Sequence, residues 1–163
     1  MADNTTRRGG SVITLTFVLA LFLTVFPLAN WAIDYRPEFV TLVLIYWCMA
    51  LPRRVNIGIA WIMGLLVDVL TGGLLGEHAL SMAIVAFVTT KLHKQIRVYP
   101  LWQQALTVCT LVALNQLIVV WVKGITGDSP QSWTYWAPSL TSAILWPWVF
   151  GILRAMRRRF RVS

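Results

Sequence analysis

Gly64-Leu-Leu-Val-Asp68-Val-Leu-Thr-Gly72-Gly73-Leu-Leu-Gly76 is the stretch on which the reading of this chain turns. It sets one carboxylate in the middle of an apolar run, with glycines at four-residue steps around it. A charge at bilayer depth is expensive, so a membrane helix that carries one needs a partner or a use for it. Steps of four put Gly64, Asp68, Gly72 and Gly76 on one slowly drifting stripe of a helix. Small residues on such a stripe let another helix approach closely and turn the acid toward protein instead of lipid. The stripe is therefore the candidate working surface, facing either a partner helix or a second copy of the chain. The alternatives for Asp68 are a proton-coupled step, a ligand contact, or a bond that caps or joins a neighbouring helix inside the subunit.

The rest of the chain agrees with a membrane setting. Of its 163 residues 58% are hydrophobic and only 12% charged, with a mean hydropathy of +0.69. A soluble domain is nearer ~45–50% apolar and ~25% charged. We read one all-α transmembrane domain over 1–163, with no room for a separate soluble catalytic domain. Six apolar segments are predicted, at 11–29, 38–51, 57–75, 79–92, 101–122 and 136–153, followed by a basic tail at 154–163. Most approach the ~20 residues needed to cross the hydrocarbon. The second and fourth are short, so five spans plus a re-entrant piece is the alternative count. Pro147 is expected to kink the sixth segment. The first segment runs into Pro27 and Trp31 without a small-residue cleavage site, which reads as a retained helix and not a signal peptide.

Charge sets the expected orientation. With both termini cytoplasmic and six crossings, twelve of the fourteen basic residues fall on cytoplasmic flanks, and only Arg36 and Lys123 fall outside. That is the positive-inside pattern. Asp34, Glu38, Glu77 and Asp128 fall outside. The net charge of +8 thus describes topology, not nucleic-acid binding. Cys48 and Cys109 lie within apolar segments and read as small core residues.

Other polar residues at membrane depth are few. Asn115 and Gln116 sit midway along the fifth segment, where amides bond across helices, and Asn115 is a candidate partner for Asp68. Glu77 and His78 follow Gly76 at the outer end of the third segment; they read as interfacial residues, because no further ligand at suitable spacing supports a metal site. Arg154, Arg157, Arg158, Arg159 and Arg161 form a juxtamembrane basic cluster suited to anionic lipid or to a cytoplasmic partner. No nucleophile setting, phosphate loop or cofactor box is found: the serines lack a His/Asp setting, and Gly72-Gly73 lacks the following lysine. No enzyme activity and no cofactor are indicated.

The pattern Pro37-Glu38, Tyr46-Trp47, Pro52, then Gly64-Leu-Leu-x-Asp68-x-x-x-Gly72-x-x-x-Gly76-x-His78-Ala79-Leu80, with a later Pro100-Leu-Trp-Gln103-Gln104, resembles the MreD family of rod shape-determining membrane proteins. The resemblance covers nearly the whole chain. It implies a bacterial inner-membrane scaffold that pairs with MreC, a single-span protein with a periplasmic domain, and acts with RodZ, MreB, RodA and penicillin-binding protein 2 in peptidoglycan synthesis. The family is also similar in fold to substrate-binding subunits of energy-coupling-factor transporters. That similarity keeps a small-molecule-binding transporter subunit as the alternative function.

Overall fold

The computed structural model describes residues 2–128 and 130–162, with side chains from Gly9 onward. Seven α-helices follow in order: α1 Ala2–Val25, α2 Asn30–Ile33, α3 Phe39–Ala50, α4 Ile57–Thr71, α5 Glu77–Val98, α6 Leu101–Thr126 and α7 Ala137–Arg159. A 3-10 turn at Trp133–Trp136 leads into α7, and no strand occurs among the described residues. The α6 helix and the Trp133–Arg159 segment are long and apolar enough to cross a membrane; the apolar parts of α1, α3 and α4 are shorter.

The prolines and glycines explain where the helices stop. Phe26 still donates to the Phe22 carbonyl, but Pro27 has no N–H to continue, so α1 ends at Val25 and not near residue 29. Tyr99 is extended, as a residue before proline prefers, and this separates α5 from α6. The fourth segment is not short: it is a helix of 22 residues, because Lys91, His93, Lys94 and Arg97 continue it past the apolar part. The arginines of the tail likewise extend α7 to Arg159, and α7 continues through Pro147.

The short second segment is the centre of the packing. Every residue of α3 except Phe39 is buried. A helix apolar on all sides belongs inside a bundle, and α3 packs against α1, α5, α6 and α7. Its 12 residues give roughly 18 Å, well short of the ~30 Å hydrocarbon thickness. Protein supplies what the missing turns would have. The Glu38 N–H donates to Ser142 Oγ of α7 at 3.1 Å, satisfying a backbone group that lipid would leave unpaired.

Apolar side chains face outward as well as into the core, and several polar ones are buried. Leu15, Phe22, Trp61, Val69, Leu106, Leu117, Ile144 and Ile152 face outward, whereas Thr41, Asp68, Glu77, Ser81, Gln104, Asn115 and Gln116 are buried. The buried polar groups join helices. Trp47 Nε1 donates to Thr16 Oγ1 at 2.9 Å, linking α3 to α1. Trp146 Nε1 donates to Gln104 Oε1 at 3.3 Å, and Gln104 Nε2 donates to the Ile96 carbonyl at 3.1 Å, linking α7, α6 and α5.

The tightest contact is between α4 and α5. A Cβ added at Gly64 would lie 2.4 Å from Ala79 Cα and 2.6 Å from the His78 carbonyl oxygen, both backbone atoms. Gly64→Ala should therefore push the helices apart and destabilise the protein by about 1–3 kcal/mol. Gly151→Ala, in open space on α7, should be neutral or stabilising by up to ~1 kcal/mol. Thermal melting of the two variants in detergent checks the contrast; equal melting temperatures would contradict the close approach.

Candidate functional site

The expected stripe on one helix is not realised. The helix carrying Gly64 and Asp68 ends at Thr71, and Gly72 follows in the left-handed region at φ 68°. The N–H groups of Gly72 and Gly73 both return to the Asp68 carbonyl, closing the helix in the manner of a glycine C-cap. Gly76, at φ 102°, precedes α5 and reverses the chain. Gly72 and Gly76 are thus turn glycines, whose missing Cβ serves the backbone conformation and not a helix contact. Only Gly64 acts through close helix approach, and it does so against α5 of the same chain.

The turn brings the start of α5 onto Asp68. The first N–H groups of any helix lack partners within it. Here Asp68 Oδ2 accepts from the Gly76 N–H at 2.9 Å and from the Ala79 N–H at 3.4 Å. Asp68 Oδ1 accepts from the His78 N–H at 2.9 Å and lies 2.8 Å from His78 Nδ1. The carboxylate is 1% exposed. An anion placed on exposed N–H groups at the positive end of a helix dipole is stabilised by both. Of the alternatives for Asp68, the geometry matches the bond within the subunit: the acid of one helix caps the next.

A second acid lies nearby: Glu38, which the charge pattern sets among the outer acids and which the sequence does not single out as a site residue. Glu38 Oε2 accepts from Asn115 Nδ2 at 2.6 Å and from Thr41 Oγ1 at 2.9 Å. The expected Asn115–Asp68 pair is therefore replaced by Asn115–Glu38, because α3 and not α4 brings its acid to the middle of α6. The signal available was an acid directly before an uninterrupted apolar run, at Pro37-Glu38-Phe39. Gln116 turns to the chain before α7, donating from Nε2 to the Tyr135 carbonyl at 2.8 Å. Asn115 Oδ1 and Gln116 Oε1 have no partner among the described residues.

Glu77 and His78 are packed within the protein, His78 only in part. Glu77 is buried, with Lys123 Nζ of α6 at 3.4 Å and His78 Nδ1 at 3.9 Å. Glu38 and His78 stand between two hollows. One, of about 250 Å³, is lined with Asp34, Gln116, Lys123 and Tyr135. The other, of about 120 Å³, is lined with Thr24, Arg36, Thr41 and Thr71. Arg36 closes that side by donating to the Thr24 and Phe26 carbonyls at the end of α1. The arrangement holds helix ends together and leaves a polar recess. Among the described residues, no group of three His, Cys, Asp or Glu is placed to hold a metal ion.

The basic cluster lies at the other end of these helices. Arg154 and Arg157 are on α7 beside Tyr46 of α3; Arg154, Arg158 and Arg159 are exposed, Arg157 is half-buried, and Arg161 lies beyond the helix.

Two outcomes follow from the site geometry. Asp68→Leu should leave the N–H groups of Gly76 and His78 buried and unpaired, at about 1–3 kcal/mol for each, and Asp68→Asn should lose less, because one acceptor oxygen remains. Denaturant-induced unfolding in detergent micelles measures both. A double-mutant cycle of Glu38→Gln with Asn115→Ala should show coupling of about 1 kcal/mol, and a cycle of Asp68→Asn with Asn115→Ala should be additive within ~0.5 kcal/mol. The reverse pattern would contradict the pairing.

Comparison with known proteins identifies the family. The family model for rod shape-determining protein MreD matches residues 7–156. Rod shape-determining protein MreD of Haemophilus influenzae is 32% identical over 149 residues, covering 90% of this chain and 90% of that protein. No solved structure is matched. With a family match over most of its length and a full-length relative at this identity, the chain belongs to the MreD family of rod shape-determining membrane proteins.

Proposed function

We propose that this chain is a multi-pass scaffold of the bacterial inner membrane that pairs with MreC and helps to control peptidoglycan synthesis during cell elongation. Family membership supports the role in rod shape. The observation that carries the finer reading is an apolar groove over α3, between α1 and α7. It has a volume of about 300 Å³ and is lined by Leu19, Leu23, Val43, Leu145, Trp148 and Ile152 among others. A second hollow of about 400 Å³, at Phe26, Trp31 and Tyr35, shares Leu23, Phe39 and Leu145 with it and extends it toward the end of α1. In lipid, helix association comes from van der Waals fit and not from a hydrophobic driving force. A long apolar groove floored by a buried helix offers that fit to one transmembrane helix, which is what a single-span partner has to give. The partner surface thereby moves from the Gly64–Gly76 stretch, whose contacts are made within the chain, to the opposite side of α3. RodZ, MreB, RodA and penicillin-binding protein 2 are the wider assembly in which such a pair works.

The test is co-purification of MreC with wild-type protein and with two bulky variants. Ile152→Trp fills the groove; Leu106→Trp adds the same bulk to an exposed position of α6 outside it. Ile152→Trp should lose most of the bound MreC at unchanged yield, and Leu106→Trp should retain it. Loss from Leu106→Trp alone would place the partner elsewhere, and absence of MreC from the wild-type preparation would overturn the pairing itself.

A ligand-binding subunit is the second reading, and the 250 Å³ recess favours it. Gln116 Oε1 is unpartnered there, beside Glu38 and Lys123. Asp68 contributes nothing to it, being consumed by the α5 cap. Native mass spectrometry of the gently extracted protein separates the readings. A single-span protein partner supports the scaffold; a retained small molecule without one supports ligand binding.

A further inference from the structure

The arginine-bearing end of the bundle contains a pocket that no acid with a described side chain fills. Tyr46, Met49 and Ala50 of α3, Arg97 of α5, Gln104 of α6, and Phe150, Arg154 and Arg157 of α7 surround a volume of about 210 Å³. That is several times the ~30 Å³ share of one water in the liquid. Four helices thus converge on it, and three guanidinium groups come from positions nearly sixty residues apart in sequence.

Its walls are ordered by packing. The Phe150 ring stands edge-on to Tyr46 at 5.7 Å, and Arg154 lies over the Phe150 ring at 5.9 Å. Gln104 is held by Trp146 and by the Ile96 carbonyl. Arg154 and Arg157 flank the pocket beside the buried Tyr46.

The charge balance identifies the missing group. The acids whose side chains are described, Asp34, Glu38, Asp68, Glu77 and Asp128, all lie at the opposite ends of these helices: before α3, at the end of α4, at the start of α5 and after α6. Among the described residues, Arg97, Arg154 and Arg157 make no ion pair with a carboxylate. Arginine forks match the oxygens of phosphate esters, and a phenol donor completes such a site. The pocket also borders Met49, Ala50 and Phe150, so a ligand with an apolar body lies against α3 and α7 while its phosphate meets the arginines.

We propose that this pocket is a binding site for the phosphate of an anionic phospholipid, built by Arg97, Arg154, Arg157 and the Tyr46 hydroxyl. It stands apart from the groove for a protein partner and does not depend on that reading. It also differs from general attraction of the basic tail to a charged membrane, because Arg97 belongs to another helix and Arg158, Arg159 and Arg161 are outside the pocket.

Native mass spectrometry tests it, with the full chain in detergent and phosphatidylglycerol or phosphatidylcholine added in turn. Wild-type protein should retain phosphatidylglycerol in preference to phosphatidylcholine. The R97Q/R157Q variant should retain it at least about tenfold less, as expected when two arginine contacts near a membrane surface are removed. The R159Q/R161Q variant, with the same change in net charge, should retain it nearly as wild type does. Unchanged melting temperatures for both variants establish that the fold persists. Equal loss from the two variants would reduce the effect to tail electrostatics and overturn the site. Displacement of the lipid by millimolar inorganic phosphate would assign the pocket to free phosphate and overturn the lipid as its occupant.

Discussion

The bond network of the Asp68 carboxylate is the constraint on which the other contacts depend. Inside a bilayer no water is present to satisfy the exposed N–H groups at a helix start. Asp68 supplies two oxygens to three of them and to the His78 ring, so the end of α4 is pinned to the start of α5. Once that turn is closed, Gly64 meets the Ala79 backbone, and α4 and α5 form the closest helix pair in the chain. The α5 helix then serves as one wall for α3 and for α6. A charge that is costly in lipid is tolerable here because every lone-pair direction it uses ends on a donor.

The two ends of the bundle handle charge differently. At the acid end each buried carboxylate has partners within the chain: Asp68 has the α5 cap, Glu38 has Thr41 and Asn115, and Glu77 has Lys123. At the arginine end the cations gather around Tyr46 with no carboxylate to meet them among the described residues. Internal pairing makes the acid end a structural clamp. The arginine end is completed only by its surroundings, and for a membrane protein these are lipid phosphates and the aqueous boundary.

This MreD family member buries several polar groups while large apolar side chains on α1, α4, α6 and α7 face outward, and α3 explains how so small a chain does this. Being short and buried, α3 leaves α1 and α7 to flank it and to frame a groove. A longer, lipid-facing α3 would fill that space with its own side chains. The shortness that looked like a defect of a crossing segment is a property of a central helix.

Composition and the placement of basic residues were enough to read an all-helical membrane protein, since both follow from the hydrophobic thickness of a bilayer and not from any particular contact. The bounds of α3 between Pro37 and Pro52 were legible for a similarly local reason, proline's missing donor, whereas the stop of α1 at Pro27 and the run of α5 up to Pro100 were not. The importance of Asp68 was legible from its isolation in an apolar run. Its partner was not: four-residue spacing predicts a continuous stripe, but Gly72 and Gly76 take left-handed backbone angles and turn the chain back, so the same glycines that suggested a helix face end the helix. Which amide meets which acid, Asn115 with Glu38, depended on α3 reaching the middle of α6. The gathering of Arg97 with Arg154 and Arg157 likewise required four helices to converge. Local chemistry is written in the order of residues; pairings between distant residues are decided by packing, because only the folded bundle sets which helix faces meet.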